Sequence, residues 1–202
     1  MVQRIIIGSE ASYDKLSLVE NVDVRHKVVK AMDRLLGETP IDKLTVNAIC
    51  KEAGMSRSAF YRYFDDKYAV AQWHMRYVHS QGVDEIGRTL TWYEGYYRSE
   101  IGFAWYKNFY LQASKTSDFN SIDKTAPRYR VETLTETITK YHRKKMTPKL
   151  EFEVEALAAM EVAMLPWLKV DGEEVSIEEK CCWMVDIVPK DLFELLNTPV
   201  VS

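Results

Sequence analysis

Ser56, Arg57, Ser58, Tyr61 and Arg62 fall within seven consecutive residues, bring hydroxyl, phenol and guanidinium donors together, and have no acidic residue among them. Donors at this density suit an anionic surface rich in acceptors, above all the phosphate oxygens and base edges of a nucleic acid. Phe60, Tyr63 and Phe64 interleave with them at positions that point the other way if the segment is helical. One side is then polar and cationic and the other apolar. Thr45 and Lys67 bracket the segment. Lys67 follows a capping Asp66, in the first turn of a helix, where its charge opposes the helix dipole unless an anion lies nearby. A DNA phosphate would satisfy it.

Positioning these groups takes several short helices. Val46, Ile49, Cys50 and Ala53 recur at helical spacing, with Thr45 placed to cap the first turn and Gly54 to end it. Ser56 caps a second helix. Residues 45–64 therefore read as a helix-turn-helix, whose outward face would meet a major groove. Val28, Ala31, Met32 and Leu35 form another one-sided stripe, so a helix from about Val24 to Leu36, ended at Gly37, can pack beneath the pair. A fourth, longer helix is expected from Asp66 to about Ser80.

From Val24 to His79 the chain resembles the DNA-binding domain of the TetR family (TetR/AcrR type) of bacterial transcriptional regulators. The matching signature is Leu44-Thr45-Val46, Ile49, Ala53-Gly54-Met55-Ser56, Ala59-Phe60-Tyr61-Arg62-Tyr63-Phe64 and Lys67, without a gap. The resemblance implies that Thr45, Arg57, Ser58, Tyr61, Tyr63 and Lys67 take positions that touch DNA, Thr45 and Lys67 on phosphates. Arg57 and Ser58 then stand nearest the base edges. Ser56 and Arg62, on the same short segment, complete the candidate DNA-binding set. Two residues depart from the family pattern. Ala48 stands where an acidic residue often completes a capping box, and Ser58 where a glycine is usual. The operator sequence therefore cannot be carried over from the family.

The net charge of −3 over 202 residues looks wrong for a DNA binder. Divided, the chain makes sense: Val24 to Ser80 holds ten basic and six acidic residues, whereas the part from Gln81 onward holds fifteen and twenty. The positive charge lies where phosphates would be met. Three cysteines, Cys50, Cys181 and Cys182, give no disulfide framework and read as structural. Ile5 to Ile7 is too short for a secretory signal and no run could span a membrane, so a cytoplasmic protein is expected. Residues 1–22 have little pattern and read as a disordered arm.

Nine of the 24 aromatic residues lie between Trp92 and Tyr110. Trp92, Tyr96, Phe103, Tyr106 and Tyr110 follow helical spacing and would form one nearly continuous wall. Rings with polar tips are a common pocket lining, although the same spacing also fits a filled core. The family resemblance implies a small-molecule site in the C-terminal domain, and Met160 and Met164 join the five rings as candidate ligand-binding residues. Gly95 and Gly102 mark a break, a kink or a close helix crossing. Ser114 to Pro127 reads as a loop, followed by helices from about Arg128 to Met146 and Pro148 to Leu168. The second carries Phe152, Ala156, Ala159, Met160, Ala163, Met164 and Trp167 on one broad side. A last helical pair is expected at Ile177 to Val188 and Asp191 to Leu196. By the resemblance, the last two long helices form a homodimer interface. The basic run Lys140, Arg143, Lys144 and Lys145 reads as a solvated helix end.

No enzyme signature is present. His74 and His79 are five apart, about 140° around a helix, and cannot chelate together as i, i+4 residues do. No metal or cofactor is called for. The expectation is an all-α protein: residues 23–80 form a three-helix helix-turn-helix DNA-binding domain, and residues 81–202 a helical ligand-binding and dimerisation domain. The expected activity is ligand-responsive repression at a palindromic double-stranded DNA operator, with an apolar or aromatic effector and a homodimeric state. The alternative keeps the DNA-binding fold and gives the C-terminal domain a protein partner.

Overall fold

The computed structural model describes residues 20–113, 122–164 and 175–200. Its α-helices are α1 (Glu20–Leu36), α2 (Val46–Glu52), α3 (Arg57–Phe60), α4 (Lys67–Gln81), α5 (Trp92–Ala104), α6 (Lys107–Ala113), α7 (Ile122–Glu136), α8 (Pro148–Met164), α9 (Ile177–Asp186) and α10 (Lys190–Leu196). Short 3-10 turns at Ile41–Lys43 and Val83–Glu85 and a π-helical turn at Thr137–Tyr141 complete it. Among the described residues the only β-type pairing is the isolated bridge between Ile86 and Leu90. The protein is all-α.

The N-terminal helices begin where side-chain oxygens satisfy otherwise unpaired N–H groups. Thr45 Oγ1 accepts from Ala48 at 3.2 Å, Ser56 Oγ from Ala59 at 3.1 Å and Asp66 Oδ1 from Ala69 at 2.7 Å. Gly54 ends the first motif helix with φ at +64°, a left-handed conformation that a side chain would strain. Helix α1 starts at Glu20, inside the segment expected as an arm, and residues 1–19 lie outside those described.

Two apolar cores follow. The first gathers Val28, Met32, Leu36, Ile49, Phe60, Phe64, Val70 and Met75, and takes in Tyr106, Phe109 and Ala126 from beyond the expected domain boundary. The second gathers Trp92, Tyr96, Leu134, Ile138, Leu157, Leu192 and Leu196. Helix α4 packs against α1, α5, α6 and α7, which makes it the element shared by both halves.

The expected loop from Ser114 to Pro127 is corrected at its end: α7 already runs at Ile122, with Pro127 inside it. Residues 114–121 lie outside those described. Proline forfeits one backbone donor there, and the burial of Ala126 in the first core and of Arg130 one turn later holds the segment helical. Helix α7 also ends earlier than expected. Thr137 and Thr139 donate their hydroxyls to the carbonyls of Thr133 (3.0 Å) and Thr135 (2.7 Å), and the backbone loosens there into the π turn. The helix expected to reach Leu168 is described to Met164, and Trp167 lies outside the described residues.

Candidate nucleic-acid interface

Helix α3 is a single turn, and it carries the expected donors on its open side. Ser56, Arg57, Ser58, Tyr61 and Arg62 are exposed, Tyr61 at 46%. They are also pre-arranged: Arg57 Nη2 donates to the Tyr61 hydroxyl at 3.3 Å, with its guanidinium carbon 5.6 Å from the ring centroid. The hydroxyls of Ser56 and Ser58 lie 2.9 Å apart. Phe60, on the inner side, is fully buried and meets Phe64 at 5.7 Å between centroids. Thr45 is exposed at the start of α2, and Tyr63 is half-buried against the first core.

Lys67 is not left to DNA alone. Its ammonium donates to the carbonyls of Asp42 and Leu44, both at 3.0 Å, and so offsets its unfavourable place at the start of α4 by terminating the 3-10 turn before α2. Two residues missed in the sequence belong to this surface. Val24 and Lys27 of α1 join Met55, Ala59, Arg62 and Tyr63 around an open cleft of ≈ 240 Å³ beside α3. Nothing in the helical motif marked Lys27. It is brought there by the packing of α1 across the pair.

The C-terminal rings divide instead of forming one wall. Helix α5 ends at Ala104 and α6 starts at Lys107, so the spacing does not run along a single helix. Trp92 (0% exposed) and Tyr96 (3%) lie in the second core, whereas Tyr106 and Tyr110 pack in and against the first. Phe103 stands between, 4.6 Å from Tyr110 and 5.7 Å from His79 by ring centroids. Met160 is half-buried against the second core, and the side chain of Met164 is outside those described. Helix α5 passes through Gly95 unbroken. The close crossing is real there, since a Cβ on Gly95 would stand 2.2 Å from Ile86 Cγ1.

Beside the rings lies a polar network that the sequence reading missed. Arg130, 3% exposed, pairs with Glu161 at 2.9 Å and donates to the Val83 carbonyl at 2.8 Å. Tyr96 donates to Glu161 at 2.8 Å, and burial holds its phenol well above the usual range. Burial opposes the Arg130 charge, but Glu161 more than compensates and raises its pKa. Burial, assisted by Arg130, pushes His79 down to about 4, so its imidazole is neutral. The one signal in the sequence was Glu161, a lone carboxylate among Ala159, Met160, Val162 and Ala163. Of the cysteines, Cys50 and Cys181 are buried, with the Cys181 thiol pushed up to about 12 by burial, while Cys182 is exposed. No described helix is long and apolar enough to cross a membrane.

Residues 28–72 match the family model for bacterial regulatory proteins of the tetR family. The fold is similar to that of the dihydroxyacetone kinase operon activator DhaS, with 13% identity, 88% of this chain and 99% of that one covered, and a TM-score of 0.61. It is also similar to the TetR family repressor AlkX from Dietzia sp. strain DQ12-45-1b, implicated in biodegradation of n-alkanes, with 15% identity, 84% and 98% covered, and a TM-score of 0.52. No curated protein matches by sequence. The ungapped motif and the family-model match make residues 28–72 similar to the bacterial regulatory proteins of the tetR family, and the two solved structures share the helical fold of the chain.

Proposed function

We propose that this DNA-binding regulator acts as a homodimeric, ligand-responsive repressor of a palindromic operator. The observation that carries the DNA half is the exposed set Ser56, Arg57, Ser58, Tyr61 and Arg62, presented on one capped helical turn whose opposite side is core. Arg57 and Ser58 reach base edges, Tyr61 and Arg62 the flanking backbone, and Thr45 a phosphate.

Helix α8 supports the dimer. It carries apolar residues on its outer side as well as its inner one, beside the exposed Lys149, Glu151 and Glu155. Val154 and Leu157 lie in the second core, yet Phe152 is 72% exposed and Ala159 and Ala163 are also open. A second copy would cover this face and set two recognition helices about one DNA turn apart, roughly 34 Å.

Helix α4 links effector to operator. Lys67 ties its first turn to the 3-10 turn before α2, and its last turn reaches His79, which stacks toward Tyr129 and Phe103. An effector that binds better when the two α3 helices are spread shifts the population away from the DNA-bound form.

The test is a salt titration of binding to DNA fragments flanking the protein's own gene. Tight binding to one fragment with a steep salt dependence, lost on Arg57→Ala or Tyr61→Ala, is the expected result. Weak, sequence-indifferent binding to every fragment overturns the reading.

A further inference from the structure

The 3-10 turn that follows α4 places a carboxylate inside the protein with one of its oxygens unpaired. Asp84 is 6% exposed. Its Oδ2 accepts the hydroxyl of Tyr129, and its Oδ1 is enclosed with no partner. The nearby Arg130 guanidinium gives its hydrogen bonds to Glu161 and to the Val83 carbonyl, and meets Asp84 through charge alone. A buried carboxylate in that state is costly until a cation or donor meets it.

The surroundings say what kind of cation fits. The Tyr129 ring lies 5.9 Å from His79, which lies 5.7 Å from Phe103. These rings offer apolar surface and electron-rich faces next to the carboxylate, and the Tyr129 face already attracts the Arg76 guanidinium at 5.2 Å. His79 adds an enclosed Nδ1 without a partner. One carboxylate and one imidazole among aromatic rings make a poor metal site, but they suit an ammonium group carried on a ring or short hydrocarbon chain.

We propose that Asp84 anchors the effector, that the effector is a protonated aromatic amine, and that its hydrocarbon part lies against Tyr129, His79 and Phe103. The proposal rests on the ligand-responsive reading above and narrows the effector expected from the sequence, apolar or aromatic, to a cation. It also gives the effector a route to DNA. Asp84 is two residues beyond Gly82, which caps the end of α4, so an ammonium drawn to it acts directly on the helix whose other end Lys67 ties to the turn before α2.

The test compares 2-phenylethylamine, tyramine and tryptamine with phenylacetate and 2-phenylethanol by thermal shift and by quenching of tryptophan fluorescence. The amines are expected to raise the unfolding temperature and the acid and alcohol to leave it unchanged. Asp84→Asn, which removes the charge and keeps the shape, is expected to weaken amine binding at least about tenfold, while the exposed Asp186→Asn leaves it intact. Tyr129→Phe provides a second variant that retains the carboxylate and should still bind. No shift with any amine, an equal shift with phenylacetate, or amine binding that survives Asp84→Asn overturns the proposal and leaves Asp84 to a water or to Arg76. Operator binding measured on the same samples without amine separates the two readings: its loss sinks the regulator, whereas its retention confines the failure to this site.

Discussion

Asp33 of α1 accepts the backbone N–H of Phe109 at 2.8 Å, and that of Asn108 as well, so a carboxylate from the DNA-reading half caps the first turn of α6. Phe109 is itself fully buried in the first core. Helix α6 thus travels with α1, although α5, directly before it, is built into the second core. Asp33→Ala should lower stability by about 1 kcal/mol, the usual cost of a lost N-cap, and Asp33→Asn by less, since an acceptor remains. Urea unfolding of the two variants checks this. Equal losses would mean that the cap contributes nothing.

Acid should destabilise the protein through a buried imidazole. His74 is fully buried, its Nδ1 lies 2.6 Å from the Tyr110 hydroxyl, and burial, assisted by His26, pushes it down to about 3. The unfolded imidazole, with its ordinary value of 6.5, takes up its proton first as pH falls. The stability due to neutral His74 is therefore complete above that value and is lost progressively below it. By pH 5 the loss is about 2 kcal/mol, and His79, pushed down to about 4, adds to it in the same direction. Urea midpoints between pH 7.5 and 5 should fall steadily, and His74→Gln should flatten the slope. An unchanged slope in that variant would assign the effect elsewhere.

What could be read from the sequence was local. Thr45, Ser56 and Asp66 were legible as caps because a cap acts on an N–H three residues away, and the helical stripes of Val28 to Leu35 and Val46 to Ala53 are set by the same short period. The aromatic wall was not, because a period holds only within one helix and the chain turns at Trp105 and Tyr106. The loop expected at Ser114 to Pro127 overran for a related reason: a run rich in Ser, Thr, Asp and Asn reads locally as loop, and long-range burial of Ala126 and Arg130 holds its end helical. Asp84, Arg130 and Glu161 are 84, 130 and 161 in the chain, and no spacing rule joins residues so far apart. Their meeting is a property of packing.

The glycines separate two kinds of constraint. A Cβ on Gly82 would stand 2.3 Å from Ser99 Oγ and 2.6 Å from the Gly95 carbonyl, so Gly82→Ala must push backbone apart, at about 1–3 kcal/mol. Gly54 has open space around it and a positive φ, so Gly54→Ala meets only conformational strain, about 1 kcal/mol. Thermal unfolding should rank Gly82→Ala as the more damaging. The reverse order would show that the α4–α5 crossing yields easily.

Covering the outer face of α8 should be what holds two copies together. Phe152→Glu and Ala159→Glu each place a charge on that face while leaving Val154 and Leu157 in the core. Light scattering should show a folded monomer in both, with operator affinity reduced because one recognition helix reads only half a site. A dimer that survives both substitutions would place the interface on another face.

Lys67 and Lys27 make opposite predictions about DNA. The Lys67 ammonium already holds the carbonyls of Asp42 and Leu44, so Lys67→Met should act first on stability, by about 1 kcal/mol, as α4 loses its tie to the turn before α2. Lys27 is exposed on the rim of the cleft beside Arg62, and its removal should leave unfolding unchanged. If that cleft seats a phosphate, Lys27→Ala lowers the salt slope of binding by about one ion, equally for operator and for random DNA. Arg57→Ala should instead weaken the operator selectively, by about 1–3 kcal/mol, since a base contact carries sequence information and a phosphate contact does not. Salt titrations of the three variants on both DNAs, with urea unfolding in parallel, sort the residues into these roles. A uniform loss from Arg57→Ala would move that side chain from the bases to the backbone.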